Sequence, residues 1–226
     1  MRLLCSCLLA TSVAFAVSPE EITPTKKAPF VQPAEAARAE LHASIKTFMA
    51  KEPGTFEAHA ASRDFPGAVE GKERVARTVA YDSNLVHRWD TTNGGAPNLY
   101  TSPDVWQETG LYAAPGEVVV VKVASLPEHR TVKVIVGCHR DSLLKLPKWN
   151  RFPVIARTFE LKVGENKIAN AFGGQLFIQS SHKDWRKPMK SSPSTPLQFS
   201  NAVAMPTYVL GKDTPESWAK AKQLPA

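Results

Sequence analysis

From residue 74 to residue 210 the chain repeats one device: a short β-forming run, then glycine, proline or a polar turn. "RVARTVAY" (74–81) alternates apolar and polar residues, while "EVVVVKV" (117–123) and "TVKVIVGC" (131–138) are dominated by β-branched side chains. "IARTFEL" (155–161), "NKIAN" (166–170), "GQLFIQ" (174–179) and "LQFSNAVAMPTYVL" (197–210) continue the series. Side chains of an extended segment alternate between two faces, so such runs bury one face against a second layer. No helical period lies between them, which points to antiparallel pairing. Eighteen prolines agree, because proline removes a backbone donor and suits turns and sheet edges better than a helical bundle. The expected fold is mostly β: an antiparallel, jelly-roll-like β-sandwich with an N-terminal helix and a short C-terminal helix.

The segments outside this series have other chemistry. "MRLLCSCLLATSVAFA" (1–16) holds one basic residue, an apolar run from Leu3 to Ala16 and an Ala14-Phe15-Ala16 cleavage pattern, so residues 1–16 read as a signal peptide. The run is too short to span a bilayer, and no later segment is longer, so no transmembrane segment is expected. A lipid anchor on Cys5 or Cys7 has almost no apolar stretch before it. Residues 17–33 have prolines, lysines and no period, and read as a flexible leader. In 34–66, a helical appendage, Leu41, Ile45, Phe48 and Met49 form one apolar stripe that Pro53-Gly54 brings to an end. Residues 67–226 form the sandwich domain. Near its end "TPESWAKAKQ" begins with Thr214 as N-cap and Pro215 at the first helical position.

Cleavage after Ala16 leaves 27 basic residues against 21 acidic ones, a net charge of +6. The basic residues are scattered, and export argues against a nucleic-acid partner; a secreted, periplasmic or cell-envelope location is expected. Cleavage also leaves Cys138 as the sole cysteine, so the domain is held by its core and not by a disulfide. Cys138 stands beside His139 and Asp141, the parts of a nucleophilic hydrolase. In an unbroken strand, Cys138 continues the stripe of Val132, Val134 and Val136 while His139 points the other way. Cys138 is therefore expected to pack as a small hydrophobe, unless the chain bends after Gly137. The six histidines include no H-E-x-x-H pair, and no G-x-S-x-G elbow, P-loop or G-x-G-x-x-G occurs. No catalytic residue, no metal ligand and no cofactor is assigned.

Aromatic residues in loops supply the binding candidates. Trp149, flanked by Lys148 and Arg151, either stacks on a sugar or caps the core beneath a loop. Trp185 stands among Lys183, Arg186, Lys187 and Lys190, a setting for an acidic glycan or a merely solvated loop. Residues 89–107 hold Trp89, Tyr100 and Trp106 in a stretch expected to be a long loop. The ligand-binding candidates are Trp106, Trp149, Arg151 and Trp185.

Four stretches in order, "TGLYAAPGEVVVVKV" (109–123), "VIVGCHRDSLLKLPKWNRFP" (134–153), "FGGQLFIQ" (172–179) and "MPTYVLGKDTPESW" (205–218), carry a resemblance. They resemble the N-terminal, non-catalytic sandwich of the enhancin-like metallopeptidases, metallopeptidase family 60, over roughly residues 75 to 218. Several members of that family are secreted or cell-surface enzymes acting on mucins and other glycoproteins. The resemblance implies a sandwich fold and a glycan, glycoprotein or partner chain as ligand. It carries over no catalytic residue, because the family's H-E-x-x-H lies in a following domain and nothing here matches it. Two functions follow as expectations: an exported accessory binding module, or the N-terminal part of a zinc-dependent glycoprotein peptidase. A third, weaker one is a ligand-free structural domain of the cell envelope.

Overall fold

The computed structural model describes residues 17–64, 73–82, 87–91, 98–102, 106–182 and 194–220 of the 226-residue chain. The signal-peptide segment 1–16 and Trp185 lie outside the described residues. In chain order the elements begin with β1 (Phe30–Val31), α1 (Glu35–Ala50), β2 (Val75–Tyr81), β3 (His87–Thr91) and β4 (Asn98–Ser102). Next come β5 (Trp106–Ala113), β6 (Val119–Val123), β7 (Arg130–Val136), β8 (Lys148–Trp149) and β9 (Arg157–Glu160). The last are β10 (Gly164–Ile168), β11 (Gly174–His182), β12 (Thr195–Ala204) and α2 (Pro215–Lys220).

Eight strands make one antiparallel sheet, in the order β10-β6-β12-β5-β11-β7-β9 with β2 also on β12. The sheet folds over into a nearly closed sandwich, and β12 is the seam. Its first half pairs with β6 on one side and β2 on the other, through Leu197↔Val123 and Leu197↔Val79. At Asn201 the backbone turns to a φ of 61°, the register shifts, and Val203 and Ala204 pair with Tyr112 and Leu111 of β5. A single irregular residue thus moves the strand from one layer to the other. Asn201 Nδ2 donates to Val118 O at 2.8 Å and holds the bend.

Period-two alternation builds the core. Val119, Val121 and Val123 face Val132, Val134 and Val136 across the layers, with Leu176, Ile178, Leu197 and Phe199 filling between. Each fully buried aliphatic side chain contributes about 1.5–3 kcal/mol of transfer free energy. This is the β-sandwich that the alternation predicts. The stretch 89–107, expected as a loop, instead contains the hairpin β3–β4, with Trp89 opposite Tyr100.

A second apolar cluster ties the N-terminal segment to the sandwich. Leu41, Ile45 and Phe48 of α1 pack on Trp149, Phe152, Ile155 and Phe172. The helix stripe was therefore legible in the sequence, but the leader 17–33 was not. Far from flexible, that segment makes a turn of 3-10 helix at Pro19–Glu21, buries Ile22 to 1% exposure and pairs β1 with β8. The correction has a simple cause: its apolar residues are isolated, and each finds a separate pocket without needing a period.

Gly173 and Gly174 also differ from expectation. Both have positive φ, but they do not turn a hairpin, since β10 pairs with β6 and β11 with β5 and β7. Gly174 is required by closeness. A Cβ there would lie 2.6 Å from the backbone of Gly137. At the C-terminal end, Thr214 caps α2 as predicted, with Ser217 N donating to Thr214 Oγ1 at 3.2 Å.

Candidate functional site

The outward face of β5 and β11 gathers polar and aromatic side chains. Trp106 and Glu108 alternate on β5 opposite Gln179 and Phe177, whose neighbours Leu176 and Ile178 point into the core. The half-buried Trp106 ring lies 5.3 Å from the Phe177 ring, centroid to centroid. Beside them Gln175 Nε2 donates to Glu108 Oε1 at 2.7 Å. The Arg140 guanidinium sits 5.5 Å from the Trp106 ring centroid, a cation held against a π face.

Arg140 reaches this position because the chain leaves the sheet at Gly137. Strand β7 stops at Val136, Gly137 takes a φ of 93°, and its N–H donates to Gln175 O at 2.9 Å. Cys138 does not continue the valine stripe, and its thiol is exposed. The bend, and not the strand, decides its place, which corrects the expectation of a buried thiol. His139 and Arg140 are exposed as well.

Within this loop the hydrolase parts do not assemble. No hydrogen bond joins the Cys138 thiol to the His139 ring among the described residues. His139 Nδ1 lies 3.8 Å from Asp141 Oδ1, while the other carboxylate oxygen accepts from Arg151 Nη2 at 2.6 Å. Arg151 Nη1 also donates to Phe152 O at 3.0 Å, so its guanidinium pins the loop from below. Among the described residues no cluster of histidine, cysteine and carboxylate side chains is placed to hold a metal ion.

Of the four candidates, Trp106 and Arg151 are joined through Arg140 and Asp141, adjacent residues of the 137–141 loop. Trp149 is elsewhere: its side chain is 0% exposed and stacks on Phe30 at 5.1 Å with an interplanar angle of 20°. It has no face free for a sugar, because β1 and α1 cover it, and the sugar-stacking alternative is withdrawn. Gln175, Phe177 and the role of Arg140 were missed by sequence reasoning. The alternation of "GQLFIQ" already placed positions 175, 177 and 179 on one face; what it lacked was the neighbouring strand.

Among the described residues no helix is long and apolar enough to cross a membrane. The chain is 32% identical over 113 residues to TRPM8 channel-associated factor 3 of Mus musculus, covering 50% of this chain and 12% of that protein. It is 29% identical over 120 residues to TRPM8 channel-associated factor 2 of Homo sapiens, covering 53% and 12%. The chain therefore spans a small part of those relatives. Among solved structures it is similar to IMPa from Pseudomonas aeruginosa in complex with an O-glycopeptide, with a TM-score of 0.52 at 14% identity, over 89% of this chain and 21% of that one. IMPa metallopeptidase in complex with T-antigen gives a TM-score of 0.53, also at 14% identity, over 90% and 21%. At that identity the likeness is one of fold. The sequence model for the N-terminal domain of M60-like peptidases matches residues 73–190, which hold the seam partner β2, the Trp106 face and the 137–141 loop. That match spans more than half of the chain, and the protein belongs to the family of M60-like peptidase N-terminal domains.

Proposed function

We propose that this protein is an exported, non-catalytic accessory module that binds a glycan or the glycan of a glycoprotein on the outward face of β5 and β11. The arrangement around Trp106 carries the reading. An indole gives a flat apolar surface to the C–H face of a sugar ring. The Glu108 carboxylate and Gln175 amide beside it can take hydroxyl groups, and Arg140 adds a cationic edge. Arg151 serves the loop that presents Arg140, through Asp141.

Support also comes from the two IMPa structures, which are complexes with an O-glycopeptide and with T-antigen. A second reading, favoured by the family match, makes the chain the N-terminal part of a zinc-dependent glycoprotein peptidase. Its 226 residues contain no H-E-x-x-H, so in that reading zinc and the chemistry belong to another domain and this face gathers substrate.

Glycan-array binding of the protein beside its Trp106→Ala variant tests the proposal. The expected outcome is selective glycan binding that weakens about tenfold or more in the variant, equivalent to about 1.4 kcal/mol. Equal binding by both proteins, or none by either, refutes it.

A further inference from the structure

A cation lies inside the strand-end mouth of the sandwich. Arg130 opens β7 on the same face as Val132, Val134 and Val136, so its side chain enters the space between the layers. It is 2% exposed. Its Nη1 donates to Ser180 Oγ at 3.0 Å, and Ser180 in turn shares the inward face of β11 with Leu176 and Ile178. The Nε and Nη2 atoms are buried and make no hydrogen bond. None of the ion pairs among the described residues includes Arg130. The Tyr81 hydroxyl, contributed by β2 from the other layer, is close enough to feel both Arg130 and Ser180, yet it too makes no well-formed hydrogen bond.

A guanidinium withdrawn from water without an anion is strongly unfavourable, so natural proteins pair such groups. The unsatisfied donors here are not a random pair. Nε–H and the Nη2–H beside it lie parallel on one edge of the planar group, and that edge matches the two oxygens of a carboxylate. Around the same strand ends, residues 183–194 connect β11 to β12 with Lys183, Arg186, Lys187 and Lys190 against a single acid, Asp184. The long-range field at this end therefore favours an anion.

We propose that the Nε–Nη2 edge of Arg130, with the Tyr81 hydroxyl, receives the carboxylate of a small acidic ligand, an acidic sugar being the form that suits a glycan-binding module. Only that choice of sugar rests on the function proposed above; the carboxylate site itself does not. It is separate from the Trp106 face, which lies on the outside of the sheet.

Titration of the full chain with sodium acetate, N-acetylneuraminic acid, its uncharged methyl ester and sodium sulfate tests this, followed by nitrogen-15 NMR of arginine Nε–H groups and by the melting temperature. Saturable shifts of the Arg130 Nε–H with acetate and with the sugar acid, and a weaker response to the ester, are expected. Binding of the sugar acid well beyond acetate assigns a sugar-borne carboxylate; equal binding assigns a free small acid. Arg130→Lys keeps the charge but loses the fork, and should weaken binding of the acids about tenfold. Tyr81→Phe, which removes a hydroxyl without a partner, should weaken it while leaving the melting temperature unchanged or higher. The proposal is overturned if no acid binds, if sulfate alone binds, if ester and acid bind alike, or if neither variant differs from the parent. Loss of neutral glycans through Trp106→Ala tests the other face, so failure of one proposal is distinguishable from failure of the other.

Discussion

Trp149 and Cys138 lie eleven positions apart in one quoted motif and have opposite fates. The indole is enclosed between Phe30 and the His42 ring, 6.2 Å away, whereas the thiol is open to solvent. Trp149→Ala should therefore destabilise the protein by about 3–5 kcal/mol, as expected for emptying a large buried site. Cys138→Ser should change stability by less than about 0.5 kcal/mol, because nothing packs on the sulfur. Chemical denaturation of the two variants checks the contrast, and a large loss for Cys138→Ser would restore the buried thiol. Neither fate was fixed by local sequence. The valine stripe predicted a core correctly up to Val136, and then one glycine with a positive φ cancelled the parity argument for the next residue. For Trp149 the deciding neighbour is Phe30, more than a hundred positions away in a segment without any pattern of its own. Trp106 was legible as a candidate, but its partner Arg140 depends on the same unforeseen bend.

At the scale of elements, α1 and the segment before it form one apolar plug, and a histidine sits inside it. His59 Nδ1 accepts from Ala61 N–H at 3.1 Å, and its Nε2 lies 3.1 Å from Pro19 O, so the neutral ring with hydrogen on Nε2 satisfies both. Phe48, Phe152 and Phe172 surround it. Burial lowers its pKa below the ordinary 6.5, outweighing the Pro19 carbonyl and the Glu20 charge, which act the other way. The unfolded chain then binds the proton more readily than the folded one. Stability from this group is complete above about pH 6.5 and declines as the pH falls toward the folded value. Glu20 acts lower on the scale: the hydrogen bond from Lys51, then that from Ser18, brings its pKa to about 2, so its contribution is lost only in stronger acid. Both side chains of that ion pair are well exposed, and solvent screens it. The melting temperature should fall between pH 7.5 and pH 5.5, and His59→Gln should flatten that slope. An unchanged slope in the variant would remove His59 from this role. The helix half of the plug could be read from its stripe, while its partner, the irregular segment through Ile22, was hidden by lack of period.

For the whole molecule, the family match and the fold describe a sandwich with chemistry on its surfaces and without a metal cluster among its described residues. Its two layers share β12, and their side chains form one contiguous core. Unfolding of the sandwich by denaturant should then appear as one transition, with tryptophan fluorescence and far-ultraviolet dichroism coincident. Separate midpoints would mean that the layers come apart independently.

The seam has a mechanical side as well. A strand at the rim of a sheet peels away one bond at a time under tension, but β12 is laddered to β2 on one flank and to β6 and then β5 on the other. Traction on the segment beyond Ala204 must shear both flanks together, so whatever is tethered there pulls on the stiffest strand of the protein.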